Sequence, residues 1–234
     1  MRMNKLLVTL AFSMLFGSGI ALAADFNKGL EAYYSGDFKT ALAEWTPLAE
    51  QGNAVVQYNL GYMYAYGEGV PENDKTAVKW YTKAAGQGDA RAQTNLGNMY
   101  ANGKGVPEND KTAVKWYTKA AEQGNAIAQS NLGNMYADGD GVPKNDKTAV
   151  KWYTKAAEQG YAIAQSNLGV MYDNGEGVLT DYRRAYMWSN LASYNGNKIG
   201  GENKDKLAKK MTPADLSKAQ DMSSLCLESN YTDC

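Results

Sequence analysis

The sequence predicts an all-α solenoid, a stack of antiparallel helix pairs, and three observations lead there. Thirteen residues, NDKTAVKWYTKAA, occur three times letter for letter, beginning at Asn73, Asn109 and Asn145, 36 residues apart. A fixed period of this size marks stacked supersecondary units, none of which can bury its apolar face alone. Within a unit, apolar residues recur at three and four positions, the spacing of one helix face. Each unit carries two such stretches joined by a short glycine- and proline-bearing connector, so the two helices run antiparallel.

Four units align without gaps, at residues 54–89, 90–125, 126–161 and 162–197. In the second of them Ala92, Leu96, Met99, Tyr100 and Gly103 share the face of the first helix. Gly97 interrupts that helix, as do Gly61, Gly133 and Gly169 in the other units. A mid-helix glycine costs about 1 kcal/mol relative to alanine, and the expected return is close approach of a neighbouring helix. The paired glycines Gly67/Gly69, Gly103/Gly105, Gly139/Gly141 and Gly175/Gly177 suit a left-handed helix end followed by a tight turn. Pro71, Pro107 and Pro143 hold the connector extended. The second helix starts at Asn73, Asn109, Asn145 and Asp181, all good N-caps. Its stripe is Ala77, Trp80, Tyr81, Ala84 and Ala85. Trp116, equivalent to Trp80, is expected to be a buried knob whose loss costs about 3–5 kcal/mol.

The ends differ. Residues 1–23 read as a signal peptide: Arg2 and Lys5, an apolar run from Leu6 to Phe16, then Ala21-Leu22-Ala23 as the cleavage site. Position 24 is Ala, not the Cys of a lipid-anchored protein. Residues 24–53 form a divergent capping unit, with Trp45 aligned to Tyr81 and Pro47 expected to kink its second helix. Residues 198–234 form a C-terminal cap. Gly200-Gly201 read as a joint, and a closing helix follows from Thr212 with Leu216, Ala219, Met222 and Leu225 at threes. Two cysteines in an exported chain, Cys226 and Cys234, read as a disulfide pinning the tail.

Composition narrows the function. Lys and Arg total 24 against 25 Asp and Glu, and cleavage removes two of the cations. That argues against a nucleic-acid partner, which demands a basic face. The chain has no histidine, hence neither the commonest general base nor the commonest metal ligand. "ADGDGVPKND" from Ala137 mimics a calcium loop but lacks its ligand spacing. No cofactor, metal site or membrane insertion after signal cleavage is expected, and the mature chain is expected to be monomeric, periplasmic or secreted.

The pattern A-x-x-Q-x-N-L-G-x-M-Y-x-x-G-x-G-V-P…A-x-x-W-Y-x-K-A-A-x-Q-G resembles the Sel-one-like repeat, a 36-residue relative of the tetratricopeptide repeat. The resemblance implies a right-handed superhelix, closed here by the C-terminal capping helix, with first helices lining the concave side. It also implies a non-enzymatic adaptor that binds a protein or extended peptide there.

Positions that vary between copies share one face of the first helix: Val55, Tyr58, Tyr62 and Tyr66; Arg91, Thr94, Asn98 and Asn102; Ile127, Ser130, Asn134 and Asp138; Ile163, Ser166, Val170 and Asn174. This stripe is either a recognition surface or a solvent face free to drift. Beside it, Asn59, Asn95, Asn131 and Asn167 recur in every copy. Their amides could hold a peptide backbone, as first-helix asparagines do in tetratricopeptide relatives, or bind neighbouring units together. Tyr58, Tyr62 and Tyr66, with Tyr33 and Tyr34 near in sequence, could anchor an apolar or proline-rich segment or pack between helices. Lys75, Lys79 and Lys83 read as a solvated outer face. Some secreted relatives suggest an alternative, a cell-wall-directed protein binding or hydrolysing peptidoglycan-like or β-lactam ligands. That would require Ser130 or Ser166 to meet Asp138 in a cleft.

Overall fold

The computed structural model describes residues 24–232 and 234, so the leader read over residues 1–23 lies outside the described residues. Twelve helices and no strand occur among the described residues. Five consecutive pairs stack: α1 (Phe26–Tyr34) with α2 (Phe38–Glu50), α3 (Ala54–Tyr66) with α4 (Asp74–Gly86), α5 (Ala90–Ala101) with α6 (Asp110–Glu122), α7 (Ala126–Asp138) with α8 (Asp146–Ala157), and α9 (Ala162–Asn174) with α10 (Tyr182–Tyr194). Each second helix also packs on the first helix of the next pair, which makes the chain an α-solenoid. Two more helices, α11 (Lys198–Lys210) and α12 (Pro213–Glu228), pack on α10 and close the C-terminal end.

Local chemistry sets these boundaries. The Asn73, Asn109 and Asn145 side chains each accept from the backbone N–H three residues on, at 2.9, 2.9 and 3.0 Å. Asp181 does the same for Arg183 and Arg184. Each cap's own N–H donates back to a first-helix tyrosine carbonyl, as Asn109 does to Tyr100 at 2.8 Å. The connector is thereby locked to the helix it leaves.

The mid-helix glycines admit aromatic rings. A Cβ on Gly97 would lie 2.6 Å from the Tyr117 ring, and Gly61 and Gly133 stand in the same relation to Tyr81 and Tyr153. Gly29 meets Trp45 likewise, which supports the alignment of Trp45 with Tyr81. The deep knob of the second, third and fourth pairs is therefore the tyrosine of the Trp-Tyr pair. Tyr81, Tyr117 and Tyr153 are 1%, 3% and 4% exposed. Trp116 and Trp152 are only partly buried, which corrects the expectation for Trp116. The tryptophans work between units instead: Trp80 joins the cluster of α1–α3, and Trp116 packs against the cluster of α4 and α5.

A second seam runs through Gln57, Gln93, Gln129 and Gln165, all buried. Each donates to the carbonyl of the alanine eight residues earlier, at the end of the preceding unit, as Gln129 does to Ala121 at 3.1 Å. Its own oxygen accepts from a residue thirty positions on, Gln87, Gln123, Gln159 or Asn195. These amides give each last-turn carbonyl a second donor, beside the glycine N–H three residues on, and so tie the end of one unit to the start of the next.

The C-terminal region departs from expectation at two points. Gly200 and Gly201 lie inside α11 and are no joint. Gly200 presses against α10, where a Cβ would sit 2.5 Å from that of Ala192. In α12 the buried positions are Ala219, Ser223 and Cys226, while Leu225 is exposed. Nine residues at about 100° each put Leu225 opposite Leu216, so a strict spacing of threes drifts off the face. In the first unit α2 runs unbroken past Pro47 to Glu50. Pro47 and Ala43 are both exposed, so water can serve the carbonyl that proline leaves unpaired.

The Cys226–Cys234 disulfide is formed, with Cα atoms 4.8 Å apart. It closes a tail whose Tyr231 hydroxyl takes a 2.8 Å hydrogen bond from Asn195. Asn230 and Tyr231 both hold positive φ, 53° and 67°. Such backbone is costly outside glycine and persists only where surroundings enforce it. Reducing the bridge is expected to lower stability by about 2–3 kcal/mol. Thermal melts with and without a thiol reductant check this, and an unchanged midpoint would mean that Tyr231 holds the tail without the bridge.

Candidate protein-binding face

The first helices of neighbouring units lie side by side. α3 touches α5, and the asparagine ladder ties the later ones together. Asn131 on α7 donates to Asn98 Oδ1 on α5 at 3.0 Å, and Asn167 on α9 donates to Asn134 Oδ1 on α7 at 3.2 Å. The same acceptors take the hydroxyls of Tyr117, at 2.8 Å, and Tyr153, at 2.6 Å. Burial pushes these two phenols up to about 12, with the Asn131 and Asn167 amides pulling the other way. Both remain protonated donors across the physiological range. Asn98, Asn131, Asn134 and Asn167 thus bind units to one another. Asn59 and Asn95 are half-buried, and Asn95 reaches toward the Tyr81 hydroxyl.

The variable stripe divides by depth. Thr94, Ser130 and Ser166 are buried, against the expectation of an open face. Val55, Ile127 and Ile163 are 42%, 46% and 48% exposed, one per unit in the first turn of the first helix. Arg91 takes that place in the third pair; it is exposed, paired with Asp89 at 2.7 Å, and lies over the Tyr58 ring at 4.2 Å. Toward the other end of these helices stand Tyr66, Asn102, Asp138 and Asn174, all exposed, with Val170 between. Asn102 bonds back to the Asn98 carbonyl at 2.8 Å, and Asn174 donates to Glu176 at 3.1 Å. The Tyr62 and Tyr66 rings pack 4.4 Å apart. Tyr33 is turned to Glu68, Phe38 and Trp45, and Tyr34 is exposed.

The structure does not bring Ser130 to Asp138. Eight residues along one helix separate them by about 12 Å, and Ser130 is buried while Asp138 is exposed. On the outer face Lys75, Lys79 and Lys83 are exposed, and Lys83 lies 4.4 Å over Trp80. Sequence reasoning missed the glutamine seam. Its signal was present, since a glutamine recurring inside an apolar helix start needs buried partners.

Stacked helix pairs tied by amide ladders, with a continuous first-helix face, define an α-helical repeat scaffold. The Sel1 repeat model matches residues 54–89, 90–125, 126–161 and 162–197. The chain belongs to the Sel1 repeat family, whose fold is generally a scaffold for protein–protein interaction. A Sel1 repeat protein from Oxalobacter formigenes is 39% identical, with a TM-score of 0.70 over 75% of this chain and 72% of that one. The protein c5321, a protective antigen present in uropathogenic Escherichia coli strains that displays an SLR fold, is 33% identical with a TM-score of 0.54. That match covers 86% of this chain and 53% of c5321. A comparison with curated proteins finds no significant match.

Proposed function

We propose that the chain is an exported, non-catalytic adaptor that holds a protein or extended peptide along the concave side formed by its first helices. One observation carries this reading. Polar groups on that face are largely spent on one another, yet Val55, Ile127 and Ile163 stand exposed in register. Arg91 holds the equivalent place between Val55 and Ile127, while Ile127 and Ile163 stand in neighbouring units; exposed apolar side chains grouped on one face mark interaction surfaces. The Cys226–Cys234 disulfide fits an oxidising compartment, periplasmic or extracellular. No described helix is long and apolar enough to cross a membrane. The β-lactam or peptidoglycan alternative loses its candidate residues with Ser130 and Ser166 buried.

Replacing the ladder asparagines would damage the fold itself, so exposed positions make the better test. In chemical cross-linking to an extract of exported proteins, a Val55→Glu, Ile127→Glu, Ile163→Glu variant is expected to lose its cross-linked partner. A Lys79→Glu, Lys115→Glu, Lys151→Glu variant on the outer face is expected to keep it. The opposite ranking would move the binding face to the second helices.

A further inference from the structure

The repeat symmetry is broken at two places on this face, and the break in the second pair has a chemical consequence. In two units a tyrosine hydroxyl and an asparagine amide converge on one acceptor: Tyr117 and Asn131 on Asn98, Tyr153 and Asn167 on Asn134. In the unit before them the donors are Tyr81 and Asn95, and the acceptor's place, 36 residues before Asn98, is taken by Tyr62. The Tyr81 hydroxyl, fully buried, has no hydrogen-bond partner of good geometry among the described residues. An unpaired buried donor is destabilising, and sequences retain such groups where something else needs them. Ser189 marks a parallel case: it replaces the tyrosine of the last pair where Val170 replaces the asparagine, and its hydroxyl is unpaired too. Of the three buried hydroxyls without a partner among the described residues, Tyr81, Ser130 and Ser189, Tyr81 is the one beside the Tyr58, Tyr62 and Tyr66 rings.

The Tyr62 and Tyr66 rings pack tilted against each other, with Tyr66 exposed, and the Tyr58 ring lies 5.9 Å from that of Tyr81. Arg91 covers Tyr58, and its charge is already matched by Asp89. The place therefore offers two neutral donors and an aromatic step, with no unmatched cation to favour a carboxylate or phosphate. A neutral carbonyl oxygen on an apolar, extended backbone fits it. Polyproline II segments have that chemistry: their carbonyls are unpaired, and proline has no N–H needing a partner. Aromatic-lined grooves are the usual docks for such segments.

We propose that the Tyr58–Tyr62–Tyr66 surface of the second pair is a subsite for a proline-rich segment, one of whose backbone carbonyls accepts from Tyr81 and Asn95. The proposal rests on the concave-face reading and names the partner's chemistry within it. The carbonyl reaches the Tyr81 hydroxyl when Tyr62 changes rotamer, a movement common at interfaces.

Fluorescence anisotropy of labelled decaproline with the full mature chain tests this. Saturable binding is expected, with a glycine-serine peptide of equal length not binding. Tyr81→Phe should weaken decaproline binding about tenfold, as for one lost hydrogen bond. Tyr62→Asn, which restores the internal acceptor, should weaken it at least as much, while Lys151→Glu, on the outer face, should leave it unchanged. Melting supplies a second readout: Tyr81→Phe should leave the midpoint unchanged or raised, whereas Tyr117→Phe should lower it. Absence of binding up to about 1 mM peptide, or equal binding by Tyr81→Phe, overturns the proposal. So does a Tyr81→Phe midpoint depressed as far as that of Tyr117→Phe, since the hydroxyl would then have its acceptor within the chain. If decaproline fails while the Val55, Ile127 and Ile163 variant still loses its cross-linked partner, the concave-face reading stands and this inference alone falls.

Discussion

Gly141→Ala is expected to cost the folded chain about 2–5 kcal/mol, far more than alanine for glycine costs at an ordinary surface turn. Two separate effects add. Gly141 has φ of +69°, where a Cβ meets the neighbouring carbonyl and costs about 1–2 kcal/mol. Its Cβ would also lie 2.5 Å from the Asp110 carbonyl carbon, at the start of the second helix of the preceding unit. That obstacle is backbone inside a capped helix, so relief requires the units to part, and overpacking of this kind costs about 1–3 kcal/mol more. Gly105 and Gly177 face Asp74 and Asp146 in the same way. The second glycine of each connector is thus the point where one unit rests on the last, beyond the turn that its position suggests. Gly124→Ala is the control. Its φ is +89°, but nothing lies within 4 Å of an added Cβ, so it should cost only the conformational part. Urea denaturation of the two variants separates the effects. Equal losses would mean that the units do not bear on Gly141.

Much of this architecture could be read without coordinates. Identical segments at a fixed period forced a stack, and asparagine caps and glycine loops set the helix ends. The mid-helix glycine announced a close approach because it is otherwise a cost. Periodicity identifies a buried face, though, and says nothing of which neighbour covers it. Trp116 and Tyr117 are consecutive, about 100° apart on the helix. Both fall on the apolar side, and only the stacking direction decides that Tyr117 meets its own unit while Trp116 meets the one before. The same ignorance of long-range partners made Gly200-Gly201 read as a joint and left Thr94, Ser130 and Ser166 on an open face. The asparagine ladder was legible as a ladder, but its partners stand 33 residues away. Two readings therefore survived until geometry joined Asn131 to Asn98.

That geometry reverses the expected order of the two aromatics in the third pair. Tyr117→Ala is expected to cost about 4 kcal/mol and Trp116→Ala about 2 kcal/mol, although tryptophan is the larger residue. Trp116 is half-buried, with Lys119 over its ring at 4.6 Å, so part of its surface already meets water. Tyr117 is buried against Gly97, which has no side chain to move into the space the ring would leave. Its removal also strips Asn98 of one of two donors. The partnership has a signature that neither single variant carries. Alone, Gly97→Ala should destabilise by about 1–3 kcal/mol, because its Cβ strikes the ring. In the Tyr117→Ala background the clash is gone, and the same substitution should stabilise by about 1 kcal/mol, the usual gain of alanine over glycine in a helix. A change of sign in that double-mutant cycle, measured by thermal melts, isolates the contact between residues 97 and 117. If Gly97→Ala has the same effect in both backgrounds, the ring does not rest on the glycine, and the reason for a glycine in every first helix must be sought elsewhere.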